Sequence, residues 1–228
     1  ADNQICDSSY DTRNTWNGLS DFGRKVIAEM NKIGMMIDVS HSTDKTFYDI
    51  LKITNKPLVA THSSPRKFTP NFERNMSDNM IKDLANNNGL IMLNFGSGFI
   101  SEQSNKSFGD INSKVEKYKI ENNLKHSDKK ILKYKDDLIN TVKPFASIND
   151  FVDTIDHVKE LVGIDHIGLG SDFEGLGNTL PYDLKDASTY PNILYKLLER
   201  EYSQIEIKKI CSDNLFRVWN ANLQNRQI

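Results

Sequence analysis

Two histidines end two short apolar runs in the same way. Met35-Met36-Ile37-Asp38-Val39 leads through Ser40 to His41, and Pro57-Leu58-Val59-Ala60-Thr61 leads directly to His62. Neutral imidazole nitrogen is an ordinary ligand for zinc and similar divalent ions, and a histidine at such a place also serves as a plain hydrogen-bond partner of loop backbone. Asp172 occupies the corresponding place after a later apolar run, Ile164 to Gly170, with Gly175 close behind. A carboxylate there is equipped to bind a metal, to take a proton from a metal-bound water, or simply to cap a turn. Arg74 lies in the loop after His62, where a guanidinium holds a substrate carboxylate by paired hydrogen bonds or makes a structural ion pair. Arg66 competes for the same roles, and spacing alone does not choose between them.

The remaining candidates point elsewhere. His157 falls inside a helical pattern and reads as a surface or capping residue, His126 sits among charges, and His166 precedes its strand at the end opposite Asp172. Asp38, inside its run, reads as support for a ligand from behind or as a group facing the helix layer.

These residues are positioned by an alternation of helices and strands. Ser20 caps a helix with Phe22, Val26, Ile27, Met30 and Ile33 at helical spacing, and Gly34 ends it. Ser42 caps a second helix, and Ser77 opens a third that runs to Asn88-Gly89. Ser147-Ile148-Asn149-Asp150 starts another, with Phe151, Ile155, Val158 and Val162 as its stripe. Four strands are expected between these helices: the runs before His41 and His62, Leu90 to Phe95, and Ile164 to Gly170. That order favours a parallel sheet with active-site residues at its carboxyl edge. Tyr190-Pro191 and Ser203-Gln204-Ile205-Glu206 open two closing helices.

Residues 102–145 differ in character. Lysines and acidic residues alternate there around sparse apolar positions, as in a solvated helical insertion beside the site. The 228-residue chain has net charge −2, 38% apolar residues and scattered basic groups, which gives a core to build and argues against nucleic acid as partner. It contains no apolar run of spanning length. The start, Ala1-Asp2-Asn3-Gln4, is neither an initiator methionine nor a signal peptide, so a piece of a longer protein is expected, with its localisation unreadable because the amino terminus is absent. Cys6 and Cys211 read as two unrelated thiols.

The runs Gly18-Leu19-Ser20 through Phe22-Gly23, Asp38-Val39-Ser40-His41-Ser42, His62-Ser63-Ser64 and Gly168-Leu169-Gly170-Ser171-Asp172-Phe173-Glu174-Gly175 resemble those of the membrane dipeptidase family of zinc peptidases, peptidase family M19. Asp213-Asn214-Leu215-Phe216-Arg217-Val218 adds to the likeness. The resemblance implies a (β/α)8 TIM barrel of which this chain is the carboxyl-terminal half, strands 5 to 8, with the amino-terminal half as a missing partner and a homodimer left open. It implies two Zn2+ ions, with His41, His62 and Asp172 as metal ligands, Asp172 also as the catalytic proton carrier and as a substrate contact, and Arg74 binding the terminal carboxylate of a dipeptide. The fragment is then expected to be inactive alone. Two alternatives accompany this reading: a degenerate barrel that binds a small carboxylate ligand, and a related metal-dependent amidohydrolase.

Overall fold

The computed structural model describes residues 3–10 and 13–224. Helix α1 (Asp21–Ile33) starts where the Ser20 hydroxyl accepts the Gly23 amide and stops at Gly34, whose φ of 77° is the left-handed value expected of a C-terminal glycine. Helix α2 (Asp44–Ile53) is capped by Thr43, one residue beyond the expected Ser42. Strand β1 (Val59–Ser63), helix α3 (Asp78–Asn86) with Ser77 as its cap, and strand β2 (Leu90–Asn94) follow. The chain then forms a short helix α4 (Ser97–Ile100), a hairpin of two long helices, α5 (Glu102–Glu121) and α6 (Lys129–Val142), and α7 (Ile148–Val162). Strand β3 (Ile167–Ser171) and the short helix α8 (Phe173–Leu176) come next, before α9 (Tyr190–Glu199), α10 (Gln204–Lys208) and α11 (Asn214–Leu223), with a π-turn over Lys209–Asp213.

The three strands are parallel, in the order β1-β2-β3, with Val59 opposite Leu90 and Ile91 opposite Ile167. This corrects the expected barrel half of four strands. Among the described residues three strands form an open sheet, which does not close into a barrel. The segment before His41 is extended but makes only a single parallel bridge, Asp38 to Val59. The cause is chemical. The Thr61 amide that would continue the ladder donates instead to Asp38 Oδ1 at 3.0 Å, and the Val39 carbonyl accepts the Ser42 hydroxyl at 2.7 Å. Side chains have taken the places of backbone partners, so pairing stops after one step.

Gly170 shows how strongly the sheet curves. A Cβ on it would lie 2.5 Å from both the Thr61 and Met92 carbonyl oxygens, so β3 reaches this position only without a side chain.

The main core includes buried side chains of α1, α2, α3, α7 and α9, among them Ile27, Phe47, Ile81, Phe151, Ile155 and Leu197. Helix α11 ties the opposite ends of the strands. Asn214 donates to the Ile164 and Ile167 carbonyls, Arg217 to those of Asn88 and Asp165, and Asn222 to that of Pro57. The amino ends of all three strands are thereby fixed by side chains, and their carboxyl ends are left to carry chemistry. The α5–α6 hairpin has its own small core of Phe108, Ile111, Val115, Ile131 and Ile139, with the Tyr118 and Tyr134 rings stacked at 4.2 Å.

Candidate active site

His41 and His62 come together at the carboxyl edge, with their Nε2 atoms 2.9 Å apart. His62 ends β1 within the strand, whereas His41 is held in a left-handed turn with φ of 69°. Asp172 has the same unusual backbone, φ 67°, at the end of β3. Strained non-glycine backbone of this kind costs of order 1–3 kcal/mol and gathers where function over-determines it.

The tautomer of His62 follows from its neighbours. Thr61 Oγ1 lies 2.6 Å from Asp38 Oδ2 and 2.7 Å from His62 Nδ1. The hydroxyl has one hydrogen, which goes to the carboxylate, so it accepts from Nδ1–H and the Nε2 lone pair of His62 is left free. Both rings are held uncharged. Burial, then the Arg74 charge and His62 itself, push His41 down to about 4, and burial with Arg74 lowers His62 as well. The free Nε2 lone pair of His62 is thus in ligand form, with the His41 Nε2 hydrogen-bonded to it and able to become a second nitrogen ligand on giving up its proton. A tetrahedral ion with zinc–nitrogen distances of about 2.1 Å sets two such atoms about 3.4 Å apart, so the pair fits a divalent cation after opening by about half an ångström.

Asp172 is not brought onto that pair. Its Oδ2 accepts from the Asn94 amide at 2.9 Å, and Gly175 packs so closely that a Cβ there would meet Asp172 Oδ1 at 2.3 Å. Its negative charge is felt at both histidines. Among the described residues, no three of His, Cys, Asp and Glu gather to hold a metal.

The two arginines separate clearly. Arg66 is spent on structure: it donates to both Asp44 oxygens at 2.8 and 2.5 Å and to the Asn75 carbonyl at 2.8 Å. Arg74, only 3% exposed, donates to the Ser63 hydroxyl at 2.8 Å and the His62 carbonyl at 2.7 Å, and its Nε–H has no partner. Among the described residues no carboxylate pairs with it directly. Burial lowers the Arg74 pKa, opposed by Tyr10, Asp172 and Asp38. A buried guanidinium with an unused donor is poised for an anion.

Sequence reasoning missed Tyr10, whose ring lies 5.3 Å from that of His41 and whose hydroxyl interacts with Arg74. The polar segment around it carries no periodic signal. Asn94 was findable, since it ends β2 where His62 and Asp172 mark the neighbouring strand ends. His157 is not a surface residue: it is buried, with Nε2 2.9 Å from Asp78 and Nδ1 3.2 Å from Lys67, and pins α7 to α3. His126 is exposed near Glu116, and His166 bonds the Gly89 carbonyl at the far end of β3.

The sequence profile of the membrane dipeptidase family, peptidase family M19, matches residues 1–227. The chain belongs to this family. The match runs from one end of the chain to the other. Against the expectations of a likeness confined to a carboxyl-terminal portion, of a missing amino-terminal half as partner and of a localisation hidden by an absent amino terminus, the profile accounts for this chain over residues 1–227. Among the described residues no helix is long and apolar enough to cross a membrane.

An uncharacterized dipeptidase of Schizosaccharomyces pombe is 32% identical over 203 residues, covering 89% of this chain and 39% of its own length. The chain thus spans about two fifths of that curated relative. The probable dipeptidase PvdM of Pseudomonas aeruginosa superposes with a TM-score of 0.80 at 24% identity, over 99% of this chain and 61% of its own. A metallopeptidase of Rhodobacter sphaeroides, solved with a phosphinate mimic of the dipeptide L-Ala-D-Ala, gives 0.69 at 24% identity, over 90% and 48%. At these identities the two structures speak for the membrane dipeptidase fold.

Proposed function

We propose that this member of the membrane dipeptidase family serves zinc-dependent hydrolysis of dipeptides, with His41 and His62 as metal ligands, Asp172 as proton carrier and Arg74 as the group that holds the substrate's terminal carboxylate. The observation that carries the reading is the His41–His62 pair: two uncharged imidazoles meeting at Nε2 beside a buried arginine with a donor to spare. A divalent cation supplies Lewis-acid polarisation of a peptide carbonyl when bound there. The chain's own residues do the rest. Asp38 and Thr61 hold His62 in the ligand tautomer, and Arg74 orients the substrate through its carboxylate. Asn94 donates to Asp172 Oδ2, which leaves Oδ1 as the oxygen that takes a proton from the water attacking the peptide carbonyl and returns it to the amine as the C–N bond breaks. The dipeptide mimic held by the Rhodobacter protein is a ligand of the proposed class.

Zinc uptake and turnover of L-Ala-L-Ala test the proposal. Zinc is expected to bind tightly, and uptake to fall by at least tenfold in His41→Ala and His62→Ala, with hydrolysis abolished by chelation and restored by zinc. Zinc uptake unchanged in both variants would overturn the ligand assignment. Binding of a dipeptide without turnover would leave a carboxylate-binding protein in its place.

A further inference from the structure

A cavity of about 320 Å³ opens beside Arg74, within the size range of small-ligand sites. Four aromatic residues line it, Tyr10, Phe72, Phe99 and Phe108. It reaches the guanidinium through two of its lining residues: the Phe99 ring lies 5.4 Å from Arg74 Cζ and 5.4 Å from the Phe72 ring, and the Tyr10 hydroxyl interacts with Arg74. The polar groups on its wall are mostly spent. Asn105 donates to the Gly98 carbonyl at 2.7 Å, and Thr179 donates to that of Leu176 at 2.8 Å. Among the described residues none that lines the cavity is charged.

One wall comes from α5, in the helical insertion, through Phe108 and Gly109. Gly109 is exposed in mid-helix, and a Cβ built on it meets nothing within 4 Å. A helix interior has no conformational need for glycine, and alanine would be the better residue there by about 1 kcal/mol. The space in front of Gly109 is therefore the feature that its lack of a side chain preserves.

We propose that this cavity receives an uncharged, apolar side chain of the ligand whose carboxylate Arg74 holds, and that Gly109 sets the size of side chain admitted. The favoured substrates are then dipeptides ending in an aromatic or large aliphatic residue. The inference rests on the reading of Arg74 as the carboxylate holder. The aromatic lining supplies apolar area and ring-edge contacts, and the absence of a charged partner on the wall penalises an ionised side chain, which would lose its water without compensation. Phe108 and Gly109 are specificity determinants in this scheme and leave the reacting groups untouched.

Binding is measured by calorimetry on the intact protein with N-acetyl-L-phenylalanine, N-acetylglycine and N-acetyl-L-aspartate, which need no turnover. N-acetylphenylalanine is expected to bind at least about tenfold more tightly than the other two. Gly109→Leu is expected to abolish that preference and leave N-acetylglycine within about twofold, whereas Gly109→Ala, which adds one carbon at an open helix position, keeps most of it. Equal binding of the ligands by the parent protein, no binding of any, or an equal loss of all in Gly109→Leu would overturn the proposal. Zinc-dependent turnover of Ala-Phe against Ala-Gly separates the two readings. Discriminating binding with no turnover defeats hydrolysis alone, and turnover with no discrimination defeats the cavity alone.

Discussion

Asp38 and His62 are joined through a single hydroxyl, that of Thr61, which lies 2.6 Å from the carboxylate and 2.7 Å from the imidazole Nδ1. The link makes the ligand form of His62 a property of the strand that carries it. Thr61→Val removes the hydroxyl and keeps the β-branched shape, so zinc affinity is expected to fall by about tenfold or more, with Thr61→Ser close to the parent. Competition with a chromophoric chelator measures this. Parent-like affinity in Thr61→Val would mean that the tautomer is set by something else.

Arg74→Lys replaces a planar fork with a point charge at a buried site. The affinity for N-acetylglycine is expected to drop by about tenfold, roughly 1.4 kcal/mol, as a charge-assisted pairing is lost. Calorimetry reads the change directly.

Arg66→Lys should behave in the opposite manner. It breaks the bidentate pair with Asp44 that ties the loop to α2, at a cost of about 1 kcal/mol seen in urea unfolding, while carboxylate binding stays within twofold. Reversed phenotypes for the two arginine variants would exchange their roles.

Glu206 provides the clearest acid-stability test. Lys159 at 2.7 Å, with the Ser203 amide and hydroxyl, lowers its carboxyl from an ordinary 4.5 to about 2. A depressed carboxyl binds fewer protons folded than unfolded between those values, so its contribution is complete above 4.5 and is lost as pH falls towards 2. Glu206→Gln is expected to lower stability at neutral pH and to flatten the decline of stability between pH 4.5 and 2, followed by urea midpoints across that range.

Local chemistry was the legible part of this protein. Ser20, Ser77, Ser147 and Ser203 cap the helices that their spacing predicts, because capping depends on a few neighbouring atoms. The strands carrying His62 and Asn94 and the one before Asp172 were readable from their apolar runs. The run before His41 has the same composition yet forms no strand, since Asp38 and Ser42 divert the hydrogen bonds that a ladder requires, and side-chain competition of this kind leaves no trace in periodicity. At the site, the meeting of His41 and His62 was legible as equivalent placement after two runs. The contact of Tyr10 with Arg74 spans more than sixty residues with no pattern to announce it. His157 was misread for a related reason: its burial depends on Asp78 and Lys67 of other segments, which a helical wheel cannot show.

The left-handed backbone at His41 and Asp172 sets a direction for any attempt to make this protein sturdier. Glycine tolerates those angles freely, so the backbone alone favours it at both positions by roughly 1–2 kcal/mol, set against the unfolded-state entropy it adds and, at Asp172, the lost partner of Asn94. A screen that rewards heat resistance alone puts no value on the side chains at those two positions and is free to discard the proposed chemistry wherever the backbone gain is the larger. Thermal tolerance and ligand binding are thus set against one another at the same two backbone positions, and selecting for both together would push stabilising changes elsewhere, into the α5–α6 hairpin and the helix faces away from the strand ends.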